Sequence, residues 1–366
     1  MRIPLLRPRL PPLAALAPYI ERIDGAQIYS NFGPLVREAE ARLAARHGLP
    51  PEALVTVANA TLGLTAALAV QDVPAGSLCL MPAWTFIASP LAALSAGMTP
   101  YFLDVEPDWV LHPRAVEAAL RDLPGPVGAV MPVAPFGMPV DPAAWDAFRA
   151  RTGLAVVIDA AAAFDAALPG DVPSVVSLHA TKALGAGEGG YVMSRDTALV
   201  RRVQTYCSFG FHGSRESRLP GFNAKMNEYQ AAIVLAGLDA WEATRQALVE
   251  RAAAYTAAFA GSNLVRMQPE FGTGWVANTC VVELARPSAA QVATSLARAG
   301  IDSRAWWGHG AQAHPATQAL PRSPLPHTAA LAAATIGLPF YPDMPLAHVA
   351  EVAEGVLRGL AKASVA

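Results

Sequence analysis

The sequence predicts an α/β fold in which a mixed, mostly parallel seven-stranded sheet is covered by helices. Three observations carry this. Seven short runs are apolar throughout and bounded by Gly, Pro, Asp or Ser: Leu54–Ala58, Leu78–Met81, Tyr101–Leu103, Gly128–Met131, Ala155–Ile158, Ser174–Ser177 and Gly190–Met193. Short apolar runs of three to five residues suit strands buried on both faces. Ala- and Leu-rich helical patterns lie between them, and this β/α alternation implies a doubly wound domain. The texture then changes beyond about residue 240, which implies a smaller α+β domain at the C-terminal end.

Taken in order, helices are expected at Thr61–Val70, Ser89–Ser95, Pro113–Leu120 and Pro142–Arg151. Pro113 and Pro142 fit a first helical turn, with Asp141 capping ahead of Pro142. One long helical pattern runs from Met226 to Phe259. After it come a strand-like Asn278–Leu284, helical Ala289–Ala299 and Leu346–Leu360, and a Pro-rich loop over Pro315–Pro326. The domains are placed at residues 1–245, the large ligand-binding domain, and 246–366, the small one.

Composition narrows the function. The chain has 366 residues, enough for a full core without disulfides or structural metals. With 15% charged residues and a net charge of −2, it lacks the basic surface that nucleic-acid binding requires. Cys79, Cys207 and Cys280 form no paired motif, so packing is their expected role. No apolar stretch reaches membrane-spanning length, and Pro interrupts the N-terminal segment where a signal peptide would need a continuous run. A cytoplasmic, membrane-free protein is expected. The basic residues are nearly all arginine; the lysines are Lys182, Lys225 and Lys362. An arginine-biased composition explains the scarcity in general. A lone mid-chain lysine is also what remains where arginine cannot do the chemistry.

Ligands in open α/β sheets bind at the carboxyl ends of the strands. Asp159 follows one apolar run, and Ser177, His179 and Lys182 follow another. Trp84, Thr85 and Phe86 follow a third, and Asn59, Ala60 and Thr61 a fourth. Singly, each has an ordinary structural explanation: a helix cap, a core aromatic, a helix start, a solvated amine. Jointly they suit pyridoxal phosphate. Its Schiff base needs a lysine whose proton is removable, which arginine cannot offer. Its pyridine nitrogen needs a carboxylate, its ring an aromatic face, and its phosphate a helix N-terminus with hydroxyls. The stretch Gly185–Gly190 formally matches a dinucleotide fingerprint, but it precedes a strand instead of opening a helix, so it reads as a loop beside the lysine. No metal-ligand spacing is present.

At these residues the chain resembles the DegT-type sugar aminotransferases, pyridoxal-phosphate enzymes of fold type I. The likeness spans nearly the whole sequence. It rests on YSNFGPLVREAEARLAARHG, MPAWTFIASPLAALSAGMTPYFLDV, VVIDAAAAFDA, SLHATKALGAGEGGYV and GFNAKMNEYQAAIVLAGLD in that order. The resemblance implies Lys182 as the Schiff-base lysine and proton shuttle, and Asp159 as partner of the pyridinium. Phe86 would stack on the ring with Trp84 as neighbour or substitute, and Ser177 with the Ala60 and Thr61 backbone would hold the phosphate. Asn223 would reach that phosphate from a partner subunit, which implies a homodimer. Glu188 and His179 would sit close by.

Two positions depart from the family pattern. Ala162 stands where a Gln or His usually faces the cofactor's ring hydroxyl, and Lys225 where Arg is usual. The segment SRAWWGHGAQAHP is similar to the substrate side of members acting on nucleotide-linked 4-keto-6-deoxy sugars. It implicates Arg304, Trp306, Trp307 and His309, although domain packing explains the tryptophans equally well. The implied reaction moves an amino group, in the first instance from glutamate, to a keto-sugar carried on a nucleoside diphosphate, at C4 before C3. A cyclitol or keto acid is the nearer rival. A non-catalytic regulator that merely binds the cofactor or a sugar nucleotide is the alternative of another class.

Overall fold

The computed structural model describes residues 2–363, with side chains through residue 361. Eight short strands are β1 (Leu54–Val57), β2 (Leu78–Pro82), β3 (Thr99–Leu103), β4 (Val127–Val130), β5 (Ala155–Val156), β6 (Ile158–Asp159), β7 (Ser174–Ser177) and β8 (Gly190–Met193). They form two ladders, β3-β2-β4-β5 and β6-β7-β8-β1. Only Val157 separates β5 from β6, and its N–H donates to the Val130 carbonyl at 3.0 Å. A parallel bridge also joins Val133 to Asp159. The two ladders are therefore one sheet, with β5 and β6 a single line of chain within it. Strand β8 runs antiparallel to β7 and β1, and the pairs β2–β3, β2–β4, β4–β5 and β6–β7 are parallel. Strands β1, β2, β4, β6 and β7 consequently end on one rim.

The four helices expected over residues 61–151 form, and side-chain caps explain the starts of two of them. Asn59 accepts from Leu62 N at 2.9 Å at the head of Ala60–Ala69. Asp141 accepts from Ala143 N at the head of Pro142–Thr152, and Gly153 ends that helix in the left-handed region. Strands β1, β2 and β7 are buried along their whole length, as continuous apolar runs require.

Two expectations need correction. The long helical pattern is two helices, Glu228–Asp239 and Trp241–Phe259, broken at Ala240. Asn227 and Gln230 close a capping box that starts the first helix later than expected. At its end Asp239 accepts from Tyr19 Oη at 2.7 Å and pairs with Arg42 at 2.8 Å. The turn at Ala240 then buries Trp241 edge-on against Phe164. Alanine-rich sequence carries helical propensity but no signal for such a tertiary bend. Second, the Pro-rich stretch is coil only to Leu325. Pro326 opens the helix Pro326–Ala334 as its first residue, and a strand follows it directly.

That strand belongs to a second, antiparallel sheet. Strands β9 (Val265–Met267), β10 (Cys280–Leu284) and β11 (Thr335–Leu338) pair in the order β11-β10-β9. The N-terminal segment joins this part of the chain: Ile3 bridges to Ile301, and Phe340 N donates to the Leu5 carbonyl at 3.0 Å. Residue 245 lies inside the helix Trp241–Phe259. That helix reaches the second sheet through Tyr255 Oη, which donates to the Pro339 carbonyl at 2.7 Å. Among the described residues no helix is long and apolar enough to cross a membrane.

One buried carboxyl gives the fold a pH signature. Glu40 accepts from Thr56 N and Thr56 Oγ1, both at 2.9 Å, and burial still pushes its pKa up to about 7. A carboxyl raised on folding binds more protons folded than unfolded. Its favourable contribution is complete below its ordinary value and is lost as pH rises through about 7. The cost above that point is about 3 kcal/mol at most. Glu40→Gln is expected to gain melting temperature relative to wild type as pH rises from about 5 to about 8. Parallel melting curves for the two proteins across that range would refute it.

Candidate active site

The rim of the sheet opens into a cavity of about 680 Å³. Four strand ends and the first turn of one helix build its floor. Strand β6 ends in Asp159, which is buried. Ser89 Oγ donates to Asp159 Oδ2 at 2.7 Å, and Ala161 N donates to Oδ1 at 3.1 Å. Thr85 lies 2.7 Å behind Ser89, oxygen to oxygen. Burial raises the Asp159 pKa, while Ser89, Ala161 and the charge of Lys182 hold it down. Lys182 shows the converse: burial lowers its pKa and Asp159 raises it. Each charge is thus desolvated and partly compensated by the other.

A tight turn after β7 carries Lys182, whose N–H donates to the His179 carbonyl at 2.8 Å. Ala180 N reaches the Gly187 carbonyl, and Leu178 N the Gly189 carbonyl. Gly187 has φ +80°, a conformation that favours glycine. His179 Nδ1 sits 2.9 Å from Thr181 Oγ1, and its Nε2 lies 3.7 Å from Glu188. Gln230 Nε2 donates to the Glu188 carbonyl at 2.8 Å, which ties this turn to the capping box.

The other end of the floor is the N-terminus of Ala60–Ala69. The N–H groups of Ala60 and Thr61 precede the first intrahelical bond, and Ser177 lies beside them on the same lining. Gly190 makes this approach possible. A Cβ there would lie 3.0 Å from Ala60 N and 2.8 Å from the Val176 carbonyl. Helix N-termini of this kind attract phosphate. Above the floor Phe86 lines the cavity while 57% exposed, a large apolar face that a flat ring would cover.

The wall comes from elsewhere in the chain. Phe136 follows β4 with φ 56° and stacks on Trp307 with centroids 3.9 Å apart and planes 20° from parallel. Trp306, Asn278 and Thr279 complete it. Gly137 behind Phe136 admits no side chain. Its Cβ would meet the Ala162 carbonyl at 2.8 Å and Ala277 Cβ at 2.7 Å.

Of the residues expected from sequence, Ala60, Thr61, Phe86, Asp159, Ala162, Ser177, His179, Lys182, Glu188 and Trp306 line this one cavity. Five do not. Trp84 is 2% exposed and packs edge-on to Trp307 and Phe136, behind the wall. Its place in the core leaves Phe86 as the aromatic face over the floor. Arg304 is exposed, its guanidinium 5.0 Å over the Trp306 ring, and His309 is exposed in the following turn. Asn223 is exposed, and Lys225 donates to it at 2.6 Å while lying 4.8 Å over the Phe209 ring. Sequence reasoning missed Ser89, Phe136, Asn278 and Thr279. Applying the strand-end rule to the residues after β4 would have found Phe136. Nothing in the local pattern marks Asn278.

The match to known proteins agrees with this geometry. The model of the DegT/DnrJ/EryC1/StrS aminotransferase family matches residues 14–357. The chain belongs to that family. It is 33% identical to protein Rv3402c of Mycobacterium tuberculosis (strain ATCC 25618 / H37Rv), covering 98% of this chain and 91% of the relative. Among solved structures it is similar to a putative PLP-dependent aminotransferase from Bacillus cereus ATCC 10987. That likeness has a TM-score of 0.88 and 27% identity over 97% of this chain and all of the other. It is also similar to DesI, solved in the presence of its TDP-sugar product, with a TM-score of 0.86 and 32% identity over 98% and 93%. As a DegT-family aminotransferase the protein uses pyridoxal phosphate, and its fold is type I. The floor fits that group: an amine, a buried carboxylate, an uncovered aromatic face and a helix start around one cavity.

Gly190→Ala tests the phosphate end of the floor. The added methyl has backbone on both sides, so the helix start must move. Retention of pyridoxal phosphate, read by absorbance after dialysis, is expected to weaken about tenfold, or about 1.4 kcal/mol. Wild-type retention with an unaltered circular dichroism spectrum would contradict this.

Proposed function

We propose that the protein transfers an amino group from glutamate to a keto-deoxysugar carried on a nucleoside diphosphate, at C4, as a step in aminosugar synthesis. The observation that carries the reading is the convergence of Lys182, Asp159 and Phe86 on one cavity large enough for a cofactor and a second ring. The aromatic wall of Phe136, Trp306 and Trp307 suits the C–H-rich face of a deoxysugar. DesI, similar in fold and 32% identical, was solved with a TDP-sugar product. The tryptophan-bearing segment Ser303–Pro315 resembles that of family members acting on 4-keto-6-deoxy sugars.

In this reading Lys182 anchors the cofactor and then moves the proton at the donor's α-carbon. Its lowered pKa is what lets it act as a base. Asp159, oriented by Ser89 and Ala161, keeps the pyridine nitrogen protonated. Bound there, the cofactor supplies the electron sink and carries the nitrogen between half-reactions. Phe86 covers one ring face. Ser177 and the N–H groups of Ala60 and Thr61 hold the phosphate. His179 and Glu188 border the substrate's approach. Asn223 and Lys225 do not line this chain's own cavity, which suits a contribution to the site of a second copy in a homodimer.

The purified protein is expected to be yellow and to bleach on addition of glutamate, with colour restored by a nucleotide-linked 4-keto-deoxysugar. Colour indifferent to every amino donor would sink the transaminase reading. Lys182→Ala is expected to lose at least about 1,000-fold in turnover, since base and attachment point vanish together. A panel of 3-keto and 4-keto sugar nucleotides decides the position.

A further inference from the structure

One polar side chain on the cavity lining has no part in the arrangement described so far. Asn278 is half-buried, and it borders the same space as Lys182, Asp159 and Ala162. The lining's other polar groups are largely engaged. Asn59 caps its helix, Ser177 accepts from His179 N, and Thr181 pairs with the His179 ring. Among the described residues the Asn278 amide has no hydrogen-bond partner within the chain, so its donors are available to a group bound in the cavity.

Its backbone is held in place. Val276 N donates to Asp165 Oδ2 at 3.2 Å, and Arg46 and Arg245 fix Asp165 at 3.1 Å and 2.8 Å. The next residue, Ala277, is fully buried and faces Ala162 across Gly137, which has no side chain to separate them. This wedge holds the residue before Asn278 against the turn that carries Ala162, and Asn278 shares the cavity lining with Ala162 and Lys182. Ala162 offers only a methyl group. The cofactor's ring oxygen is ionised in the yellow protein and needs a donor near the lysine that carries the ring.

We propose that Asn278 is a cofactor-positioning residue whose side-chain amide donates to the ring oxygen of pyridoxal phosphate, in place of any donor from position 162. The inference rests on the pyridoxal phosphate reading and on Lys182 as its attachment point. A donated hydrogen bond stabilises the anionic ring oxygen and loosens its hold on the proton it shares with the Schiff-base nitrogen. Asn278 thereby lowers the pH at which the yellow band gives way to the near-ultraviolet band.

Spectrophotometric pH titration of the loaded protein, without substrate, tests this independently of turnover. Asn278→Ala is expected to raise the midpoint by about one pH unit, a tenfold tighter hold on the proton. Asn278→Asp, the same shape without the donor, is expected to raise it further. Adding Ala162→Gln to Asn278→Ala restores an amide from the neighbouring position and is expected to bring the midpoint back down. A yellow Asn278→Ala or Asn278→Asp protein with the wild-type midpoint would overturn the proposal and leave the cofactor reading standing. A wild-type protein that never turns yellow would overturn both.

Discussion

Burial of two opposite charges at adjoining strand ends is the constraint on which the site depends. Strands β6 and β7 pair in parallel, with Asp159 opposite Val175. This register puts the carboxylate at one strand end and the turn bearing Lys182 at the other. Neither charge would be tolerated alone in that position, because desolvation penalises each. Together, and with Ser89 and Ala161 donating to the carboxylate, they are tolerable but not relaxed. The residual penalty appears as an amine that gives up its proton more readily and a carboxyl that takes one more readily. The sheet thus stores the chemistry in its register, and the covering helices serve to keep that register dry.

Close approach of backbone to backbone is the second requirement. Gly190 lets β8 pass beside the start of Ala60–Ala69, and Gly137 lets the turn after β4 lie between Ala162 and Ala277. In both places the missing side chain brings a polar backbone or amide to the cavity that an alanine would push away.

Much of this was legible in the sequence, for a physical reason. Parallel strands buried on both faces must be apolar at every position, so the seven runs stand out and their ends mark the rim. That rule alone collects Asp159, Lys182, Phe86 and Ala60. The bend at Ala240 was not legible, because it answers to Trp241 packing on Phe164, a contact between residues far apart in the chain. The helix Pro326–Ala334 was obscured by the prolines that precede it. Asn278 was invisible for a related reason: its position is set by Gly137 and by the Asp165 ion pairs, not by any local periodicity.

The cavity draws its floor from the large sheet and most of its wall from the segments around residues 278–279 and 306–307. Phe136 and Trp84 join the two, Phe136 stacking on Trp307 from a left-handed backbone position and Trp84 packing edge-on to the same ring. The two halves of the enzyme's task therefore reside in separable stretches of polypeptide. Mutations around residues 306–307 alter what fits without touching the groups that react. Such an architecture permits a lineage to exchange one sugar for another by drift in its C-terminal third, while selection on the floor remains unchanged.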